Sequence, residues 1–477
     1  MKRILVICTL VAFLGVPAFA QDSVKVAKKE AVKSHLKQHF KPYGFVRNYF
    51  TYDSRESWSG TGDLYNYQPK DENWNQTPVE AELSGVERQD LNAVSTFRFL
   101  SLTTRLGLNI VGYKWRGTEL GGKIEADFYA GLSTKGAGVH SLSGVAQFRL
   151  RQAYVTLGWD SLPMLNGKDF ARVDLTIGQT WHPMAADLCD AIALNSGAPF
   201  GPFNRSPQVK MDARLGKYVT LTAAGLWQMQ YLSTGPDGQS AEYIAYSKTP
   251  EAYLGLSVHD KGWLFRAGAD VLSIQPRHLG TVHDAALGKD VTVKVNDRIT
   301  TASPFLYLQY KKGEFSFKGK TIFAESGEHM NMYGGYGIKG VNADGSYEYT
   351  PIRHSTSWIS LVYGGKVGAQ EDKHPQKLQG ILFAGYVENF GTKEALATKA
   401  DGSLYGLYNP RSNAMNRMWR LSPTLLYTVG KFQLGCEYEI TSVQYGDGKI
   451  DPTNGLSANG LHWVTNHRVQ LMTKYNF

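Results

Sequence analysis

The chain closes on Trp463-Val464-Thr465-Asn466-His467-Arg468-Val469-Gln470-Leu471-Met472-Thr473-Lys474-Tyr475-Asn476-Phe477. In an extended chain successive side chains point to opposite faces, so Val469, Leu471, Tyr475 and Phe477 share one side while Arg468, Gln470, Lys474 and Asn476 share the other. Such a strand needs an apolar environment on one side and a polar one on the other, and it ends on an aromatic ring.

The same alternation recurs back along the chain. Leu102, Thr104, Leu106, Leu108 and Ile110 oppose Thr103, Arg105 and Asn109; Ile124, Ala126, Phe128 and Ala130 oppose Lys123, Glu125, Asp127 and Tyr129. Val173, Leu175 and Ile177 oppose Arg172, Asp174 and Thr176. Sixteen strands are predicted, at about 43–52, 100–113, 120–131, 147–159, 170–181, 208–216, 218–231, 251–259, 262–274, 303–311, 314–324, 357–367, 378–388, 418–429, 431–443 and 463–477.

Alternation alone suits a soluble sandwich equally well. The connections separate the two. Very short breaks at Gly216-Lys217, Asp260-Lys261, Lys311-Lys312-Gly313 and Gly430-Lys431 alternate with long ones after the first strand and at 182–207, 275–302, 325–356 and 389–417. Tight turns at one end and long loops at the other are the layout of an antiparallel transmembrane β-barrel in a bacterial outer membrane, turns inside and loops outside. An even strand count puts both chain ends on the periplasmic side, and the first and last strands must pair, because an open edge in hydrocarbon leaves backbone groups unsatisfied.

The start of the chain agrees with export. Lys2 and Arg3 precede an apolar run from Ile4 to Phe19, followed by Ala18-Phe19-Ala20 before Gln21 and Asp22, the layout of a signal peptide over 1–20. The run is shorter than the roughly 20 apolar residues of a spanning helix. A basic segment over 21–40, with Lys25, Lys28, Lys29, Lys33, Lys37 and Lys41 in and beside it, reads as a solvated periplasmic stretch; the barrel is expected over 41–477. Gly 50, Tyr 27 and Trp 10 with 19% charged residues suit strands and turns, and a mean hydropathy of -0.30 is compatible with strands that turn every second residue inward. The formal charge of +9 falls by two to +7 without Lys2 and Arg3, a modest excess favouring anionic ligands. Cys189 and Cys436 are no disulfide framework, and the sequence leaves a bond between them open. Trp159, Trp181, Tyr218, Tyr231, Trp263, Trp419, Trp463 and Tyr475 fall near predicted strand ends, where interfacial girdles sit. With the export signal and the strand ladder in place, the terminal Phe477 resembles a barrel-assembly signal.

Tyr43-Gly44-Phe45-Val46-Arg47, Gly178-Gln179-Thr180-Trp181 and the terminal Phe477 resemble the DcaP-like group of trimeric outer-membrane porins, and more broadly porins of Bacteroides-type bacteria. The resemblance implies a sixteen-stranded barrel passing small, often anionic, solutes, over the chain from about residue 40 onward. This sequence has only the short segment 22–40 where some relatives carry a longer periplasmic coiled coil, so a homotrimer would form through the barrel walls. Outer-membrane lipid, lipopolysaccharide and the barrel-assembly machinery are the further partners implied.

Transport through such a pore needs no catalytic group, only a hydrated lumen and a field that eases admission. The outward placement of the apolar set puts Arg105, Arg172 and Arg468 inward, with Arg47, Arg149, Arg151, Arg214, Arg266 and Arg420 as further lumen residues and Glu125, Asp127 and Asp174 on the same face. An arginine cluster would draw carboxylates, phosphates or sulfates; a network that stiffens the wall is the equal alternative. The connection 182–207, with His182-Pro183-Met184, Asp187, Asp190 and the Pro/Gly-rich Gly197-Ala198-Pro199-Phe200-Gly201-Pro202-Phe203-Asn204-Arg205, is the candidate constriction loop, a role that the resemblance supplies. A loop that stays on the surface is the other reading.

A ligand-selective sugar or peptide channel or a surface-binding barrel is the alternative function, with Trp58, Trp74, Tyr333, Tyr336, Tyr405 and Tyr408 available to stack on a sugar. Catalysis is not predicted: His354 and Ser355, adjacent on a strand, point to opposite faces. His35 and His39 have helical spacing, but no further metal ligands accompany them, and neither a cofactor motif nor a nucleic-acid-binding pattern is found.

Overall fold

The computed structural model describes residues 38–60, 65–101, 103–129, 147–163, 169–190, 197–368, 374–409 and 413–477. The signal peptide and nearly all of the basic segment lie outside the described residues. Sixteen antiparallel wall strands follow one another around a closed sheet. They are β1 Phe40–Asp53, β2 in two pieces (Thr96–Leu100 and Arg105–Trp115), β3 Thr118–Tyr129, β4 Gln147–Pro163, β5 Asp169–Trp181, β6 Arg205–Leu215, β7 Val219–Leu226 and β8 Glu251–Asp260. The second half is β9 Trp263–Ile274, β10 Ile299–Lys312, β11 Phe315–Glu325, β12 Tyr347–Tyr363, β13 Gln376–Thr392, β14 Met415–Val429, β15 Phe432–Tyr445 and β16 His462–Asn476.

The ring closes where β1 pairs with β16, from Phe45 opposite Asn476 to Asp53 opposite Arg468. Past the last pair, the Phe477 N–H donates to the Gly44 carbonyl at 3.1 Å. A Cβ on Gly44 would lie 2.5 Å from the Arg105 carbonyl oxygen and from the Phe477 ring, so this close approach requires glycine. Closure of this kind removes the edges that hydrocarbon would punish.

The wall carries its large apolar side chains outward, the reverse of a soluble sheet's core face. In β10 Leu306 is 50% exposed while its neighbours Phe305 and Tyr307 are buried inside. In β16 Val469, Leu471, Tyr475 and Phe477 are exposed and Arg468 and Gln470 buried. Among the described residues no helix is long and apolar enough to cross a membrane; the strands do the crossing.

All sixteen predicted strands are present, with differences that have local causes. β2 is interrupted between Leu100 and Arg105 because Thr103 adopts a left-handed φ of 67°, turning its hydroxyl inward to accept from Arg47 Nη2 at 2.6 Å. β7 ends at Leu226, short of the predicted 231, and β12 starts at Tyr347, ten residues before the predicted 357. Trp181 and Tyr231 are not interfacial anchors. Trp181 packs edge-on against Phe203, and Tyr231 meets the Tyr67 hydroxyl at 3.3 Å, both inside the barrel. Tyr218, Trp263, Trp463 and Tyr475 do lie on the outer surface near strand ends. Cys189 is buried in the lumen, Cys436 is on the exposed face, and the two are not bonded.

Candidate functional site: the lumen

The loop ends define eight extracellular connections; described parts of the first (L1, 54–95), third (L3, 182–204) and sixth (L6, 326–346) fold into the barrel. In L3 a three-residue helical turn, Pro183–Ala185, follows His182, and Met184, Ala198, Phe200 and Phe203 are buried. The loop crosses to the far wall and is tied there by charged and polar side chains. Asp187 pairs with Arg266 of β9; Asp190 pairs with Lys318 of β11 at 2.9 Å; Lys320 donates to the Met184 carbonyl. Thr356 of β12 donates to the Phe200 carbonyl at 2.6 Å, and Arg420 of β14 donates to the Ala198 carbonyl at 3.0 Å. Both aspartates of L3 are thus paired with cations of the wall.

Arg420 also clamps L1. Its second terminal nitrogen donates to the carbonyls of Asn66 (2.6 Å) and Tyr67 (3.1 Å), in a strand, Tyr65–Pro69, whose five residues are all buried. From L6, Met330, Met332 and Tyr333 join Met184, Phe200, Trp358, Phe383, Met418 and Tyr445 in one apolar cluster. The extracellular half of the lumen is therefore packed. Water-accessible space lies on the periplasmic side of L3, in cavities of about 730, 430 and 240 Å³.

Along the wall opposite the L3 anchors, from β16 through β1 to β6, cations outnumber carboxylates. Arg47, Arg105, Lys123, Arg149, Arg151, Arg205 and Lys474 point inward, and the described carboxylates that touch them are Glu125 and Asp127. A bulge in β4 makes this possible: Glu125 is opposite Gln152 and Ala126 opposite Leu150, so Arg151 is the extra residue. As a result Arg151 (3.0 Å) and Gln152 (3.0 Å) both donate to Glu125, while Arg149 grips Asp127 with two bonds of 3.0 Å. The Tyr43 hydroxyl donates to the other oxygen of Glu125 at 2.7 Å. Arg205 is fully buried and makes no described ion pair; its guanidinium lies 4.8 Å from the Trp181 ring centre and 5.7 Å from that of Phe203.

The other predicted lumen residues are placed differently. Arg468 is bound by Asp53 through two bonds of 2.8 Å at the closing seam. Arg172 lies near the periplasmic rim among Asp174 (2.8 Å), Glu119 (2.8 Å) and Asp160 (3.1 Å). Arg214 lines the 730 Å³ cavity with Asp174, Lys210, Arg266 and Lys311. Phe477 sits on the seam. Of the aromatics that might meet a sugar at the surface, Tyr333 and Tyr336 are buried in packed clusters and are out of reach, whereas Trp58 and Trp74 are exposed.

Sequence reasoning did not find L1 and L6 inside the barrel, nor Glu251, Asp270, Lys318 and Lys320 on its inner face. The signal for L6 was present in Met330, Met332 and Tyr333, apolar residues inside a loop. His182 of L3 and His329 of L6 both face Glu251 of β8 and Asp270 of β9, and all four are buried.

No protein-family model matches the chain, and no curated protein matches it. Among solved structures, the outer membrane channel DcaP of Acinetobacter baumannii is similar over 92% of this chain and 97% of that one, with a TM-score of 0.58 and 18% identity. Lower similarity is found to OmpT of Vibrio cholerae (TM-score 0.46, 10% identity, 92% and 97% covered). An anion-selective porin from Comamonas acidovorans gives a TM-score of 0.46 at 9% identity, with 92% and 99% covered. The similarity to DcaP is one of fold, and the closed sheet with its apolar outer face places the chain in the outer membrane as a multi-pass β-barrel.

Proposed function

We propose that this barrel is a porin, a narrow water-filled channel for passive diffusion of small polar solutes, with a preference for anions, and not an enzyme. The observation that carries the anion preference is the basic wall: Arg47, Arg105, Lys123, Arg149, Arg151, Arg205 and Lys474 face two described carboxylates, while the aspartates of L3 are tied up by Arg266 and Lys318. Carboxylates, phosphates and sulfates are the solutes such a surface favours. The packing of L1, L3 and L6 narrows the path and supports selection by size and charge over wide, unselective diffusion.

Subunits would assemble as a homotrimer through an apolar outer face over β1 to β4, where Phe50 meets Phe99 (centroids 4.4 Å apart) and Phe128 meets Phe148 (5.6 Å). Light scattering of the detergent-solubilised protein checks this, a monomer counting against it.

A unit charge about 7 Å from a passing ion in water is worth about 0.6 kcal/mol, and salt screening roughly halves this; because the charge favours one sign and disfavours the other, each lumen charge changes the anion-to-cation ratio by about two- to threefold. Replacing Arg105 and Lys474 with glutamine is expected to lower anion over cation permeability by about that factor each. Reversal potentials across a salt gradient in planar bilayers measure it. Unchanged potentials would sink the anion preference, and absence of any conductance from the folded protein would sink the channel.

A further inference from the structure

We infer that Glu251, Asp270 and His329 form a site for one divalent transition metal of the zinc type, with His182 orienting Glu251 from outside it. The four residues are brought together by four elements: His182 opens L3, His329 lies in the helical turn Glu328–Met330 of L6, Glu251 starts β8, and Asp270 faces inward from β9. L3 and L6 are joined beside the cluster, since Asn204 Nδ2 donates to the His329 carbonyl at 2.7 Å and the Phe203 N–H donates to the Met330 carbonyl at 2.9 Å.

His182 and His329 play different parts. The Met184 N–H donates to His182 Nδ1 at 3.1 Å, so the ring proton of His182 belongs on Nε2, which faces Glu251 Oε1 at 2.7 Å. His182 is thus a donor to the carboxylate. His329 Nε2 lies 3.4 Å from Glu251 Oε1 and 3.6 Å from Asp270 Oδ2, and among the described residues neither of its ring nitrogens has a hydrogen-bond partner. Glu251 Oε2 is likewise buried and unpartnered, and Asp270 Oδ1 has only His182 Nε2 near it, at 3.5 Å.

Buried polar atoms left without partners are costly, and no described arginine or lysine pairs with either carboxylate. Among the described residues, then, the two buried carboxylates face only imidazoles. A divalent cation balances both. The spacing fits as well: ligand atoms about 2.0–2.1 Å from a tetrahedral zinc ion stand about 3.3 Å from one another, close to the two separations at His329. One imidazole with two carboxylates suits zinc and its borderline neighbours better than calcium or magnesium, which take oxygen alone. The hydrogen bond from His182 is the outer support that a ligating carboxylate usually has. A metal here would fasten L6 and the start of L3 to the wall.

The test uses the full-length mature protein, folded in detergent, stripped with EDTA, dialysed and titrated calorimetrically with Zn2+ alone near neutral pH. One Zn2+ per chain is expected, with binding weakened about tenfold or more in H329Q and in D270N, and about tenfold in H182Q through loss of its support. Circular dichroism and heat-modifiability on gels confirm that each variant is folded. Either of two results overturns the site: folded wild-type protein that takes up no Zn2+, or uptake that H329Q and D270N leave unchanged, as binding by surface histidines such as His283 would give.

Discussion

The Arg151 guanidinium sits between Glu125 and Asp127, donating across 3.0 and 2.6 Å with 3% of its side chain exposed. Arg172 meets three carboxylates, yet 26% of its side chain is exposed and Asp160 beside it is largely solvated. Hydrogen bonds to charged groups contribute about 1.5–3 kcal/mol each when shielded, whereas exposed ion pairs contribute about 0–1 kcal/mol. R151Q should therefore lower barrel stability by about 2–4 kcal/mol and R172Q by less than about 1 kcal/mol. Urea unfolding in lipid vesicles distinguishes them; equal losses would show that burial does not set the difference. In the sequence the two arginines look alike, because strand phase tells which face a side chain is on but not what stands across from it. The bulge that turns Arg151 and Gln152 toward one carboxylate breaks the period of two and leaves no mark in the alternation.

At the level of elements, strands were legible and loops were not. A wall strand between lipid and lumen obeys a strict alternation, and the tight turns at Gly216, Gly262, Gly313 and Gly430 have the positive φ that glycine tolerates. The inward course of L3 was implied only by the family resemblance, its Pro/Gly run marking no more than a sharp bend, and its anchors are single side chains on strands far away in sequence. Arg420 is the plainest case. Its guanidinium donates to Ala198 of L3 and to Asn66 and Tyr67 of L1, so one wall residue holds two loops. R420M keeps much of the alkyl stem and removes all three loop bonds, together with the bond from Nε to Thr441 on the wall, freeing both loops to move off the lumen axis. The expected result is a larger and noisier single-channel conductance, with the barrel itself still folded. Unchanged current through R420M channels would mean that these loops do not limit the path.

For the whole molecule, the ring is only as stable as the seam between its first and last strands, since β1 and β16 are the two elements farthest apart in sequence that must pair. The seam is fastened at one end by Phe477 against Gly44 and at the other by Asp53 and Arg468, both buried, with Asn466 Nδ2 adding a bond to Asp53 at 2.8 Å. Removing one member of a buried ion pair strands the other, at a cost of about 3–5 kcal/mol. R468M should show that loss. D53N should show somewhat less, because Arg468 keeps the option of other acceptors in a lumen wall. If the pair acts as a unit, the double variant D53N/R468M should be about 1–3 kcal/mol more stable than the two single losses added together predict. Simple additivity would mean that the seam is held by its backbone ladder and the pair is incidental. G44A tests the opposite end. Its new methyl would meet the Arg105 carbonyl, which cannot swing away as a side chain can, so it should slow refolding into lipid even though β1 gains nothing polar or bulky elsewhere. Normal refolding of G44A alongside a strong Asp53–Arg468 coupling would locate the closing contact at the ion pair and not at the terminal aromatic.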